Sequence, residues 1–257
     1  MARSITAKLA QLRKYNLIAG GLHFAQAALI LILSKDFTLP LNVSYLKFNP
    51  ASQSLSPAVE TVYNVPLAWL IVAFLFLSFV FHMLIATVGR ASYEKNLKKG
   101  MNKFRWIEYS LSASVMMVAI SMLVGVYDAA SLIMVFALVM VMNLCGLVME
   151  IHNQTTQKTK WVSYIVGCIA GIVPWIVVGL YFWASSQYGG GNIPSFVYWI
   201  YVSIFIFFNC FALNMILQYK KVGPWKDYLF GEKMYIILSL VAKSALAWQV
   251  FAGTLRP

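Results

Sequence analysis

Seven long stretches of the chain carry almost only apolar side chains, and short polar segments separate them. They run over about 15–34, 65–88, 102–126, 129–149, 161–185, 196–218 and 232–253. Each reaches the roughly 20 residues that a helix needs to cross a bilayer. The runs are continuous, whereas the strands of a membrane barrel alternate over about ten residues. Lipid excludes unpaired backbone groups, so such runs predict helices. The pattern predicts an all-α integral membrane protein, a single domain over 1–257 with seven transmembrane helices. No repeat relates the two halves, which removes support for the inverted-repeat design of many transporters.

The exception among the short connections is 35–64. Its "NVSYL" alternates like a strand, and "NPASQSLSP" has turn chemistry, so a small hairpin cap is expected there. "YGGGN" at 188–192 reads as a flexible turn on the same side. The first apolar run follows a basic lead, as a signal peptide would. Its small-x-small site, Ala25-Gln26-Ala27, lies inside the run, so a retained first span is expected.

Composition agrees: 61% of residues are hydrophobic, 11% are charged and mean hydropathy is +0.74. Soluble domains carry about 25% charge. The net charge of +12 would suit a nucleic-acid partner, but its distribution argues against one. Sixteen basic residues, from Arg3, Lys8, Arg13 and Lys14 to Lys220, Lys221, Lys226 and Lys233, fall on one side of the spans. Only Lys35, Lys47 and Arg256 fall on the other. The positive-inside rule then places the N-terminus in the cytoplasm and the C-terminus outside, in a plasma membrane. The basic face lies against anionic inner-leaflet lipid. Cys145, Cys168 and Cys210 fall in three different spans and form neither a CxxC pair nor a disulfide framework.

Ionisable groups inside spans are costly and point to function. By the boundaries above, Glu108 is the acid within a span and Lys243 the base deep in one, in "SLVAKSALAWQ". Lys243 lies 11 residues past Glu232, about 16 Å at 1.5 Å per residue. Its stem cannot carry an ammonium from that depth to water. Glu108 lies nine residues past Lys99, at a similar height, which predicts a pair. The structural reading is a buried ion pair joining two helices. The chemical reading is a desolvated, nucleophilic amine that condenses with an aldehyde, with Glu108 as counterion. Ser239 and Ser112 share helix faces with Lys243 and Glu108. His23 and His82 fall at matching heights on the first two spans, with Gln26 near His23. Aromatic residues make up 15% of the chain, enough to wall a flat slot.

A lysine midway along the seventh span and a carboxylate on the third look like a retinal protein. The stretches "FRWIEYSLSASVMM", "GCIAGIVPW", "FFNCFAL" and "SLVAKSALAWQVFAGTL", with "GLHFAQ" in the first span, resemble the heliorhodopsins. The inverted orientation fits that family. The resemblance implies a rhodopsin-like bundle, all-trans retinal as a protonated Schiff base on Lys243, and Glu108 as counterion. It implies a Schiff-base environment of Ser112, Ser239, His23, Gln26 and His82, and pocket walls from Asn102, Tyr109, Met116, Trp175 and Phe208. It also implies a homodimer, an outer strand cap and a slow photocycle with little ion transport. One departure is Met215, where family members can carry glutamine near the ring end of retinal. That bears on colour, not on the chromophore.

Three function classes compete: a light sensor, a light-driven pump or channel, and a transporter without retinal. A pump needs carboxylates on both sides of the Schiff base, and the position 11 residues beyond Glu108 is Ala119. Asn143, Asn209 and Asn214 leave a passive pathway open. A transporter would leave Lys243 and the family motifs unexplained. The sensor reading is favoured, with no enzymatic activity. It requires a separate signalling partner or a dimer rearrangement, since the connections on the basic side are short and carry no appended domain.

Overall fold

The structure is a computed structural model that describes residues 5–190 and 193–257. Arg3 and the Gly191–Asn192 part of the expected glycine turn lie outside the described residues. Among the described residues seven helices are long and apolar enough to cross a membrane. They are α1 (Ile5–Leu33), α2 (Leu67–Ala86), α4 (Lys103–Leu123), α5 (Ala129–His152), α6 (Val162–Tyr188), α7 (Ser195–Tyr219) and α8 (Tyr228–Val250). A short helix, α3 (Arg90–Lys98), and a hairpin of β1 (Thr38–Asn49) and β2 (Ser54–Pro66) complete the fold. A 3-10 turn at Gly223–Lys226 precedes α8, and Phe251–Leu255 continues it as a π-helical turn.

The largest departure from the apolar pattern is at the start. Helix α1 begins at Ile5, ten residues before the apolar run, because its polar lead packs against neighbours. Lys8 pairs with Asp227 at 2.8 Å, Arg13 Nε donates to Ala86 O at 3.0 Å, and Asn16 is fully buried. Helix α3 lies in what the sequence presents as a charged connection. Its Tyr93 and Leu97 are buried against α1, α2 and α8, and Arg90 pairs with Glu94 one turn on. Burial pushes the Tyr93 phenol up to about 12 despite a hydrogen bond from Asn16, so it stays neutral.

The helices pack side by side in the order α6, α5, α4, α2, α1, α8, α7, with α4 also touching α6 and α7 across the middle. Aromatic rings fill the α6–α7 seam: Trp175 meets Tyr201, Phe205 and Phe208 edge-on. Outward faces are apolar, as at Ile169, Ile176 and Trp199. That is the arrangement lipid requires and water would penalise. Side-chain caps set three helix starts: Asn102 accepts from Arg105 N, Asp128 from Ser131 N, and Asp227 from Leu229 N.

The expected hairpin cap is present and longer than its motif. Strands β1 and β2 pair antiparallel from Thr38↔Pro66 to Asn49↔Ser54, with a bulge beside Leu41 and Asn42. The chain turns over 50–53, where Asn49 Oδ1 accepts from Ala51 N at 3.0 Å. The hairpin base is stitched to the bundle by backbone bonds from Asn42 N to Tyr127 O and from Lys35 N to Leu255 O, both 2.8 Å. Leu39 joins Val126 and Leu255 in the core there.

Asp128 also accepts from the Ser131 hydroxyl, and these two bonds hold its carboxyl below the usual aspartate range. A depressed carboxyl stabilises the fold above the unfolded value and loses that contribution as pH falls through the folded value. Asp128→Ala should lower stability by about 1 kcal/mol at neutral pH. The gap to wild type should close on acidification below about pH 4. Thermal unfolding in micelles at both pH values checks this.

Candidate functional site

Helix α4 runs through the middle of the bundle and brings Glu108 beside Lys243 of α8. Lys243 Nζ donates to Glu108 Oε1 at 2.9 Å and to Ser239 Oγ, one turn back, at 2.8 Å. Both charged side chains are almost wholly buried, at 4% and 6% exposure. At such depth each charge needs its partner and further hydrogen bonds. The second donor to Glu108 is Ser78 of α2, at 2.6 Å. The Tyr109 ring lies 5.1 Å from Nζ, and its hydroxyl donates to Tyr235 O at 3.0 Å.

Toward the basic end, His82 Nδ1 lies 2.7 Å from Asn16 Oδ1, and the His23 and His82 rings stack at 5.6 Å. A cavity of about 30 Å³ joins Asn16, His82 and Tyr93 to Glu108 and continues to Asn102, Arg105 and Glu232. Toward α5 and α7 the surroundings change. Lys243 opens on an apolar slot of about 50 Å³ between Tyr109, Met116, Met142, Phe208 and Phe211. The slot shares Tyr109, Met142, Phe208 and Phe211 with a further cavity of about 90 Å³ that reaches Trp106 and Met215. Glycines allow this close packing: a Cβ on Gly146 would run into the Trp106 ring.

The structure brings together Lys243, Glu108, Ser239, His82 and His23, and sets Tyr109, Met116 and Phe208 along the slot. Ser112 is buried one turn beyond Glu108, with its hydroxyl unpaired, as are both His23 nitrogens. Trp175 backs the slot through its edge-on contact with Phe208, 5.4 Å between centroids. Two residues are placed elsewhere. Gln26 is half-buried, and its Oε1 accepts from Trp248 Nε1 at 3.0 Å, so it ties α1 to α8 on the outer flank. Asn102 caps α4 and donates from Nδ2 to Glu232 at 2.8 Å, because its position just before α4 leaves it at the basic end. It therefore lines the polar cavity, not the apolar slot.

Sequence reasoning missed Ser78 and Asn16. Ser78 had a signal, since it lies one turn before His82 and so faces the same way. Sequence reasoning also assigned Arg105, Glu150 and Glu232 to connections or span ends. All three are buried at the basic end, where the Arg105 guanidinium ion-pairs with both carboxylates. Asn102 N donates to Glu150 at 2.8 Å, Tyr228 Oη donates to it at 3.1 Å, and Arg105 stacks 3.8 Å over the Tyr235 ring. Glu108 and Lys243 are thus one of two buried charge clusters among the described residues. The spacing carried the clue: Arg105 and Glu108 are three apart on α4.

Seven membrane-length helices around a lysine–carboxylate pair at the mouth of an apolar slot define a rhodopsin-type membrane protein. The heliorhodopsin family model matches residues 12–255 of the 257, and the chain belongs to that family. A comparison with the curated proteins finds no match. Family membership implies a retinal chromophore. The residues present fit one: a buried primary amine opens on a ring-walled apolar slot, and Ser112 and His23 hold spare polar capacity beside it.

Arg105→Met should destabilise the protein by about 3–5 kcal/mol, because two carboxylates would be left buried and unpaired. Adding Glu150→Gln and Glu232→Gln should restore most of the loss. Thermal unfolding of the single and triple variants tests this, and equal losses in both would show that packing dominates.

Proposed function

We propose that the protein is a light sensor that carries all-trans retinal on Lys243 and completes a slow photocycle without net ion pumping. The observation that carries this reading is the buried Lys243–Glu108 pair at the mouth of the aromatic slot. Bound to Nζ as a protonated Schiff base, retinal supplies visible absorption and light-driven isomerisation. The remaining work falls to the chain. Glu108 supplies the counter-charge at 2.9 Å, Ser78 orients that carboxylate, and Ser239 orients the nitrogen. Tyr109, Met116, Phe208 and Trp175 exclude water from the slot.

Among the described residues the carboxylate and imidazole acceptors near Lys243 lie on one side. Glu108, His82 and His23, with Asn16 holding His82, face the basic end. From Lys243 toward the hairpin, α4 and α8 offer Met116, Met117, Ile120, Leu246 and Ala247. Among the described residues no carboxylate lies within a helix along that half. A proton released from Nζ is therefore held among Glu108 and the imidazoles and returns. The resulting change in local charge alters the hydrogen bonds that link α1, α2, α4 and α8, which is how such a switch biases a two-state element. The protein acts as a homodimer in the plasma membrane, with the N-terminus and basic end cytoplasmic. It is not an enzyme, and it signals to a separate partner. A light-driven or light-gated ion transporter is the alternative, favoured by the polar cavity between Glu108 and the basic end.

Adding all-trans retinal to the purified protein should generate a visible band that hydroxylamine bleaches, and Lys243→Ala should abolish it. A normal band in that variant would assign the chromophore to another amine. Glu108→Gln should shift any band that stays protonated to the red, since the excited-state charge shift loses its opposing anion. An unmoved band would remove Glu108 as counterion. Illuminated cells should show no sustained, protonophore-sensitive pH change. A sustained change abolished by Lys243→Ala would establish the transporter instead.

A further inference from the structure

We propose that the basic end carries a second binding site, a vestibule for a phosphate-bearing anion. A cavity of about 370 Å³ lies between the α3–α4 connection, the α5–α6 connection, the end of α7 and the 3-10 turn before α8. Its walls are polar and built. Asn153 clamps the connection by donating to Met149 O and Lys160 O while accepting from Lys160 N. Gln218 fixes the opposite wall by donating from Nε2 to Tyr228 O at 3.0 Å. Into this concavity open Lys99, Lys221 and Lys226.

These three cations have no carboxylate. The chain has eight acidic residues, all within the described part. On the basic side Asp227 is taken by Lys8, Glu94 by Arg90, and Glu150 and Glu232 by Arg105. Glu108 is taken by Lys243, and Asp36, Glu60 and Asp128 lie at the hairpin end. Among the described residues none of Lys99, Lys221 and Lys226 forms an ion pair. Lys221 is also held at φ +53°, in the left-handed region that a lysine seldom adopts. Lys221 is the residue just past the end of α7 in a Schellman ending, in which Lys221 N donates to Gln218 O at 3.2 Å and Val222 N to Leu217 O at 3.1 Å, and this fixes the lysine's place on the wall.

Three like charges on one concave wall repel one another, and the wall focuses their field. An anion with several acceptor oxygens satisfies all three at once, and lysine is a common point-charge partner of phosphate. Lys95 and Lys98 lie on α3 and are not among the residues that line this cavity. The shared chemistry is the phosphate group. Its source is either a soluble anion or a lipid headgroup.

The test is calorimetric titration of inorganic phosphate into the full-length protein in phosphatidylcholine nanodiscs, at constant ionic strength set with chloride. Saturable one-to-one binding is expected. Lys221→Gln/Lys226→Gln should weaken it at least tenfold, and Lys95→Gln/Lys98→Gln should leave it unchanged. Thermal unfolding should be the same for both double variants, which separates lost binding from lost fold. Absence of saturable binding, or equal weakening in both doubles, would overturn the site in favour of diffuse surface charge. Nanodiscs containing phosphatidylglycerol assign the source. Loss of phosphate binding there identifies a lipid headgroup as occupant, and retained binding identifies a soluble anion.

Discussion

A single ammonium buried between α8 and α4 sets the terms for the rest of the molecule. Placing a charge at that depth is paid for by a carboxylate 2.9 Å away, a serine on either side and a ring beside the amine. Those partners come from α2, α4 and α8, so the bundle must bring three helices into register before the pair is satisfied. A misplaced helix would leave a desolvated charge, and breaking such a pair is far worse than never building it. The pair therefore acts as a constraint on assembly as well as a reactive centre.

The second cluster, at the basic end, solves a related problem with the opposite stoichiometry: one guanidinium serves two carboxylates. Arg105 suits this because its planar fork can address Glu150 and Glu232 separately while its face stacks on Tyr235. Asn102 donates to the oxygen that Arg105 leaves on each carboxylate, Oε2, and Tyr228 is a second donor to Glu150 Oε1. The two clusters are joined through a small polar cavity, and α4 carries a member of each. Among the described residues the buried charges are thus confined to the basic half and the middle of the bundle, while the hairpin half is packed mainly with Met, Ile, Leu and Val.

Much of this was legible in the sequence because a membrane protein makes charge conspicuous. The seven apolar runs matched the helices to within a few residues, except where a polar lead with Lys8 and Arg13 extends α1 beyond its apolar stretch. Lys243 and Glu108 stood out for the same reason. Residues whose placement is ordinary were harder. Ser78 also donates to its own helix at Phe74 O, as serines in helices commonly do, and nothing in its type reveals a second partner. Arg105, Glu150 and Glu232 fall at span ends, where charge is usual. Their pairing across 45 and 127 residues of sequence is a property of the folded bundle alone. Gln26 and Asn102 show the converse: their side-chain directions depend on Trp248 and Glu232, which neighbouring sequence does not specify.

Helix α4 is the most enclosed of the seven spans and the least apolar. That combination has a consequence for biogenesis. A segment bearing Arg105, Glu108 and several serines gains little from partitioning into lipid by itself, since ionised side chains near a helix centre cost about 2.5–3.5 kcal/mol each during insertion. The more apolar α2 and α5 flank it in the chain and in the bundle, and each holds partners for its polar groups. Synthesis delivers α2 first and α5 shortly after. The span that organises the finished protein is thus the one that depends most on its neighbours to enter the bilayer at all.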